Sequence, residues 1–147
     1  MDPKKVEEYY EKIQEVIEKC GYAIQGVFGD GNPVCYTIGL TPLLGAEIIT
    51  TAPISLDTLY QMLRTNIDDF IKNKQSIPED VFSGGHLKNG GDLRCKFVDV
   101  STNKDVLNFI TVRTCTVNKV YQLYFGDINN ILPGENGYDN NFDQEVK

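Results

Sequence analysis

The sequence has no tryptophan, one histidine (His86) and no closely spaced pair of cysteines. Zinc sites need thiolates and imidazoles that converge, and such ligands commonly come in close pairs. The four cysteines, Cys20, Cys35, Cys95 and Cys115, are far apart in the chain, and each lies in an apolar or β-like setting. We therefore expect no metal site, no cofactor, and four reduced cysteines buried in the core.

Motifs of several enzyme classes are missing too. The chain has neither the Gly-x-Ser-x-Gly turn of serine hydrolases nor the Gly-x-Gly-x-x-Gly fingerprint of dinucleotide-binding folds. A catalytic Cys–His or Ser–His pair would have to use the single histidine. We therefore favour a non-catalytic protein. The alternative is a metal-independent hydrolase in which Glu47 or Asp127 acts with His86.

Basic residues are in the minority, with 14 Lys and Arg against 21 Asp and Glu and a formal net charge of −7. Binding to a nucleic-acid backbone needs clustered Lys and Arg, so we expect no nucleic-acid polymer as a partner. No apolar run approaches the roughly 18 residues of a membrane helix. We expect no membrane association and a cytoplasmic location, in the host cytoplasm if the lysine-rich, alanine-poor composition reflects a viral gene.

Two long helices are predicted, over about residues 2–20 and 55–74. In the first, apolar residues recur at spacings of three and four, Asp2 can cap the start, and Gly21 suits the end. In the second, Ser55 can cap a segment with a similar apolar face. Such regular stripes predict helices that pack against a core.

Five strands are predicted from β-branched, aromatic and alternating apolar residues. They cover residues 22–28, 34–40, 46–51, 93–100 and 119–125. The turn-forming residues 29–33 indicate that the first two strands form a hairpin, and residues 41–45 are expected to turn the chain between the second and third strands. Residues 75–92, rich in glycine, proline and serine, predict a long loop, and residues 103–117 fit either a capped helix or a β-branched strand.

Several segments resemble, in order, the uncharacterised bacterial family called domain of unknown function 4262. They are Gly-Tyr-Ala-Ile-Gln at 21–25, Pro-Val-Cys-Tyr-Thr-Ile-Gly-Leu at 33–40, Glu-Ile-Ile at 47–49, Gln-Leu-Tyr-Phe-Gly-Asp at 122–127, and Pro133 with Gly137-Tyr138. The chain departs from the family at Ala46, Phe125 and Gly134, where proline, tryptophan and a second aromatic residue are usual. The resemblance implies a compact α+β domain, favours a helix at 104–115, and brings no established activity or cofactor.

Together these patterns predict an α+β fold in a single compact domain covering residues 1–147. We expect a mainly antiparallel sheet of about five strands, packed by the two long helices and the shorter helix at 104–115. From about residue 128 the chain is rich in Asn, Gly and acids, and residues 126–147 hold five acids and one lysine. This composition predicts an irregular, solvated acidic tail.

Candidate binding residues lie on the predicted strands. Tyr36 and Thr37 point to opposite sides of one strand, so Tyr36 either offers a phenol to a cavity or packs in the core. Glu47, Gln122 and Asp127 are polar groups in or beside apolar strands, and each needs a partner if buried, because an unpaired buried polar group costs about 1–3 kcal/mol. They form either a polar cluster that orients a ligand or a structural network, with Glu47 bonded to Arg113 or Arg64 and Asp127 capping a turn.

Residues 83–91 form the most glycine-rich stretch of the chain. Glycines let backbone N–H groups form an anion-binding nest, and His86 and Lys88 can complete a phosphate contact. The stretch lacks the Gly-Lys-Ser/Thr of a phosphate-binding loop, and the alternative is a flexible surface loop.

Our leading hypothesis is a non-catalytic domain that binds, and in one version sequesters, a small polar ligand such as a nucleotide or phosphate-bearing metabolite. Its pocket would combine the 33–40 strand, Glu47, Gln122 and Asp127, with the 83–91 loop as a lid. The main alternative is a protein-interaction module, for instance an inhibitor or immunity-type protein, whose acidic surface suits a basic partner. The sequence allows a homo-oligomer.

Overall fold

A six-stranded mixed sheet forms the centre of the computed structural model, which describes residues 2–28, 31–88, 90–106 and 119–146. The strands are β1 (Ala23–Val27), β2 (Val34–Ile38), β3 (Glu47–Thr51), β4 (Phe82–His86), β5 (Asp92–Asp99) and β6 (Val120–Phe125). Their order across the sheet is β1-β2-β3-β6-β5-β4. The β3–β6 pair is parallel and the other pairs are antiparallel. This confirms the α+β fold and the hairpin of β1 and β2.

Helix α1 (Pro3–Cys20) begins and ends as its sequence predicts. The Asp2 carboxylate accepts a hydrogen bond from the Lys4 N–H, and Gly21 ends the helix in the left-handed conformation that glycine adopts without strain. The apolar stripe is only partly covered, because Ile13 is buried while Tyr9 and Val16 are about two-fifths exposed. The helix thus lies on the sheet along a narrower contact than its sequence indicates.

Helix α3 (Leu56–Lys72) covers the opposite face of the sheet. The Ser55 hydroxyl accepts the Thr58 N–H at its start, as the sequence predicts. Its fully buried residues Leu59, Leu63 and Ile67 follow the helical spacing and join the larger core with β5 and β6. A second, smaller core lies between the sheet and α1. The domain therefore has three layers, with the sheet between α1 and α3.

Three local predictions are wrong. The 75–92 stretch is not one loop, because β4 occupies its middle and pairs with β5. The chain forms a short helix, α2 (Thr41–Leu44), where a plain turn was expected. Cys20 is exposed rather than buried, at the last residue of α1, where the apolar stripe ends.

Other predictions hold for the part of the chain that the structure describes. Cys35 and Cys95 are free and buried, and burial raises the pKa of Cys35 to about 11 and of Cys95 to about 12. Residues 104–106 are helical, as the start of the expected helix at 104–115 requires; residues 107–115, including Cys115, lie outside the described residues.

The C-terminal segment, residues 127–146, is irregular but is not a solvated tail. Leu132, Gln144 and Val146 are buried, and Phe142 packs edge-on against Phe125 at the end of β6. The apolar side chains hold an acidic segment against the sheet. This packing places carboxylates next to β6.

Candidate functional site

The Glu47 cluster is a buried carboxylate with four hydrogen-bond donors around it. The Glu47 Oε1 atom accepts from the Thr37 hydroxyl at 2.9 Å and from the Leu40 N–H at 3.0 Å. Its Oε2 atom accepts from the Thr41 N–H at 2.6 Å and from the Thr41 hydroxyl. These contacts join β2, β3 and the start of α2, so the carboxylate caps the short helix from the neighbouring strand.

Among the described residues, the donors to this carboxylate include no arginine. Glu47 is 2% exposed, and Arg64, one of the two partners predicted from the sequence, does not bond to it. Arg64 instead pairs with Asp68, and Arg113 lies outside the described residues. Because its acceptor positions are occupied by protein donors, Glu47 is placed to hold the fold together rather than to contact a ligand.

Tyr36 and Gln122 lie on one face of the sheet, on either side of Ile49. Both residues are opposite Ile49 in the strand register, Tyr36 from β2 and Gln122 from β6. Tyr36 is 9% exposed and belongs to the core beneath α1, where burial, with smaller effects of Tyr9 and Tyr10, raises its pKa to about 12. Its position is that of a core tyrosine.

Gln122 and Gln144 attach the C-terminal segment to β6. The Gln122 amide donates to the Gln144 carbonyl at 2.5 Å. The Gln144 side chain accepts the Phe125 N–H at 3.0 Å and donates to the Phe125 carbonyl at 2.8 Å. The side-chain amide of Gln144 thus replaces the backbone of a further strand beside Phe125.

Asp127 organises the loop that follows β6. Its Oδ1 atom accepts the N–H groups of Asn129 and Ile131 at 2.8 and 2.9 Å, and its Oδ2 atom accepts the Asp139 N–H at 2.8 Å. Desolvation acts to raise the pKa of Asp127, but these three backbone donors outweigh it and the pKa is lowered. The sequence interpretation of Asp127 as a turn cap is confirmed.

His86 and Lys88 are at the far edge of the sheet from the Glu47 cluster. The exposed His86 side chain lies 3.3 Å from Asp92, its register partner on β5, and Lys88 is exposed in the turn that follows. The structure thus brings Thr37 and Glu47 together, and separately uses Gln122 and Asp127 as supports of the C-terminal segment. It does not gather the seven predicted residues around one pocket.

A separate cavity of about 420 Å³, here called the C-terminal pocket, opens between β6 and the C-terminal segment. Its wall includes Tyr124, Pro133, Tyr138, Asn140, Asp143 and Glu145. Tyr124 projects from the same face of β6 as Gln122, because the two residues are two positions apart on the strand. The pocket therefore lies directly beside the Gln122–Gln144 contact.

Carboxylates make the C-terminal pocket electrically negative. Burial, followed by the charge of Glu145, raises the pKa of Tyr124; burial likewise raises that of Tyr138, with contributions from Asp127 and Asp143. Among the described residues that line the pocket, none is a lysine or an arginine. Such surroundings favour a bound cation and disfavour an anion.

The two tyrosines of the pocket differ in their hydrogen bonds. The Tyr138 hydroxyl donates to the Phe142 carbonyl and accepts from the Gln144 amide at 3.1 Å, so it belongs to the support of the segment. Among the described residues, no hydrogen bond is formed by the Tyr124 hydroxyl. The phenol of Tyr124 is therefore placed to meet a ligand.

Sequence analysis missed Tyr124, Tyr138 and Glu145 because it treated the acidic segment as solvated. The pattern that could have revealed them is the recurrence of apolar residues through the acidic segment, at Ile128, Ile131, Leu132, Tyr138, Phe142 and Val146. Apolar residues at such intervals indicate a segment that packs back on the domain.

Within the described ranges, no group of three or more His, Cys, Asp and Glu side chains is placed to hold a metal ion. Across the same residues, no helix has both the length and the apolar character needed to cross a bilayer. Comparison with protein-family models, curated proteins and solved structures gave no match. The resemblance to domain of unknown function 4262 stays a prediction.

Proposed function

We propose that this protein is a non-catalytic domain that binds a small polar ligand through an ammonium or guanidinium group in the C-terminal pocket. The observation that carries the proposal is the combination of Glu145 and the Tyr124 phenol on the wall of a 420 Å³ cavity whose described lining residues include no basic side chain. The predicted cytoplasmic location is kept as part of this proposal.

The chemistry of the wall matches an organic cation. A carboxylate and a phenol oxygen accept hydrogen bonds from N–H donors, and a charged donor strengthens such bonds. Aromatic residues such as Tyr124 and Tyr138 also favour cations that approach their rings. The partly buried position of Tyr124 lowers the local dielectric without removing access to solvent.

Preorganisation also supports the proposal. Gln144 fixes the C-terminal segment to Phe125, and Asp127 fixes the preceding loop through three backbone N–H groups. A ligand that enters a pocket whose wall is already ordered loses less binding free energy to ordering of the protein. The predicted residues Gln122 and Asp127 thereby take part as supports.

A phosphate-bearing ligand is less favoured by the geometry. The basic residues predicted to meet phosphate, His86 and Lys88, are at the β4 edge, whereas the C-terminal pocket is lined by Asp143 and Glu145. The hydrolase alternative also gains no support from the positions of Glu47 and His86, because two strands, β6 and β5, lie between β3, which carries Glu47, and β4, which carries His86.

The test is a titration followed by amide chemical shifts, with putrescine, choline and arginine methyl ester as cations and with AMP and inorganic phosphate as anions. We expect at least one cation to shift the amides of Tyr124, Asn140 and Glu145 in a saturable manner, more weakly at high salt because screening reduces the attraction. The anions are expected to leave these amides unchanged.

Glu145→Gln removes the charge that the proposal requires and is expected to weaken cation binding about tenfold, the cost of losing one charge-assisted contact. Glu79→Gln is the matched control, because it makes the same change at an exposed acid outside the pocket. Equal weakening in both variants, or saturable binding of AMP alone, would overturn the proposal.

A further inference from the structure

Strand β4 is an edge of the sheet, and its outer side has no partner strand among the described residues. In an antiparallel pair, backbone groups of successive residues point alternately toward and away from the neighbouring strand. An added strand can therefore pair only with those N–H and C=O groups of β4 that point outward.

The hydrogen bonds of β5 identify the outward groups of β4. Arg94 directs its backbone away from β4: its N–H donates to the Asn130 side chain at 3.0 Å and its carbonyl accepts the Gly126 N–H at 2.9 Å. Ser83 is the register partner of Arg94, so the backbone N–H and C=O of Ser83 point to the open side of β4.

The same reasoning applies after the register shift at residues 84 and 85. The Asp92 carbonyl accepts from the Asn130 amide at 2.8 Å, again away from β4, and His86 is the register partner of Asp92. His86 therefore also directs its backbone outward. The carbonyls of Gly84 and Gly85 between them are already used, by the side chains of Asn66 and Ser83.

A groove of about 500 Å³ runs beside this edge, between β4 and α3. Its apolar part consists of Met62, Leu87 and Leu93. Gly85 leaves open space at this edge, because a Cβ atom there would meet nothing within 4 Å; a Cβ atom on Gly84 would instead lie 2.2 Å from the Cys95 Sγ atom, so packing requires glycine at that position. A side chain from an added strand thus finds an apolar space that β4 does not fill.

The charges at the groove select its occupant. Asp57 lines the groove on the α3 side, and its described lining residues include no lysine or arginine; Asp92 pairs with His86 at the β5 end, and Lys88 is exposed in the turn beyond. The protein as a whole carries a formal charge of −7, which disfavours a second copy of the same acidic chain. A basic segment is complementary, and Met62 supplies an adaptable apolar contact.

We infer that β4 is a docking edge for an extended basic segment of a partner protein, which adds as a strand and places one apolar side chain in the groove between β4 and α3. This is recognition by strand addition, in which main-chain hydrogen bonds give affinity and pockets for alternate side chains give specificity. It is independent of the cation pocket, and it gives the predicted protein-interaction module a defined surface.

The probe is an end-blocked hexapeptide, Lys-Val-Lys-Leu-Lys-Val, titrated into the full chain and followed by amide chemical shifts. We expect saturable shifts at Ser83 and His86. Ser83→Pro deletes an outward N–H and leaves the β5 ladder intact, so it is expected to weaken binding about tenfold, while Ser83→Ala keeps the N–H and binds as the parent does. Equal thermal midpoints of the two variants show that the fold is kept.

A second measurement needs no protein variant. The same peptide with N-methyl groups on the amides that face β4 keeps its charges and side chains but cannot pair, and it is expected not to bind. The inference is overturned if the methylated peptide binds equally, if the shifts occur at the C-terminal pocket and vanish in Glu145→Gln, or if the chain forms a dimer that Ser83→Pro dissociates.

Discussion

The Glu47 cluster and the C-terminal pocket both place a carboxylate beside hydroxyl groups, but they differ in what surrounds the acid. Glu47 is 2% exposed and receives four hydrogen bonds from β2 and the start of α2. Glu145 is exposed on the wall of a cavity, next to a phenol whose hydroxyl has no hydrogen bond among the described residues. A carboxylate whose acceptor positions are filled stabilises the fold, whereas one that faces a solvent-filled cavity is available to a ligand.

The largest expected effect is on stability, and it distinguishes Glu47 from Glu145. Glu47→Ala leaves the Thr37 hydroxyl and the Leu40 and Thr41 N–H groups without their acceptor, so we expect a loss of at least about 3 kcal/mol in the free energy of unfolding, measured by urea denaturation. Glu145→Ala is the control and is expected to stay within about 0.5 kcal/mol of the parent. Similar losses in both variants would contradict the distinction.

The next effect concerns the attachment of the pocket wall. Gln144→Ala removes both side-chain bonds to Phe125 and is expected to cost about 1–3 kcal/mol. Hydrogen exchange of the Phe125 amide is the direct measurement, because that N–H donates to Gln144. We expect faster exchange there and unchanged exchange in β2; Gln61→Ala, at an exposed position of α3, should change neither. Slow exchange at Phe125 in the variant would show that the side chain does not hold the segment.

Acid is expected to loosen the C-terminal segment. Hydrogen bonds from Arg94 and the Leu132 N–H lower the pKa of Glu135 to about 2, and the pKa of Asp127 is also lowered. A lowered folded-state pKa gives stability that is complete above the unfolded-state value, about 4, and that is lost as the pH falls toward the folded-state value.

The measurement for this prediction is the urea midpoint, with tyrosine fluorescence as the probe, between pH 5 and pH 2. The midpoint should fall through this window in the parent and fall less in an Asp127→Asn, Glu135→Gln variant, which starts lower. Parallel curves for the two proteins would assign the acid sensitivity to other groups.

The smallest effect distinguishes the two tyrosines. Tyr138→Phe loses the bonds to Gln144 and Phe142 and is expected to cost about 1 kcal/mol. Tyr124→Phe loses no hydrogen bond to a described residue, so its urea midpoint should match that of the parent, while putrescine binding weakens a few-fold. A stability loss in Tyr124→Phe equal to that in Tyr138→Phe would place Tyr124 among the supports of the segment.

Much of the fold follows from local patterns. The start of α1 at Asp2 and of α3 at Ser55, the Gly21 ending and the β1–β2 hairpin all depend on residues close together in the chain, so the sequence predicts them. Strand β4 was missed because Gly84 and Gly85 have low strand propensity. A contact distant in sequence, the Cys95 Sγ atom under Gly84, makes glycine necessary there.

The candidate site was less predictable, because it too depends on contacts between residues that are distant in the sequence. That Glu47, Gln122 and Asp127 need partners follows from their residue type and their apolar neighbours. Their partners lie 6 to 10 residues away for Glu47, 22 for Gln122 and up to 12 for Asp127, and no local rule selects among the available donors and acceptors.

The sequence by itself determined the α+β class, the ends of the long helices and the polar residues that must be satisfied, because these depend on local periodicity and on the cost of burying polar groups. Only the tertiary structure decided that β3 and β6 pair in parallel, that an acidic segment returns to line β6, and that Tyr124 and Glu145 meet in one cavity. Those outcomes depend on contacts between distant parts of the chain, whose free energies are set by packing and hydrogen-bond geometry.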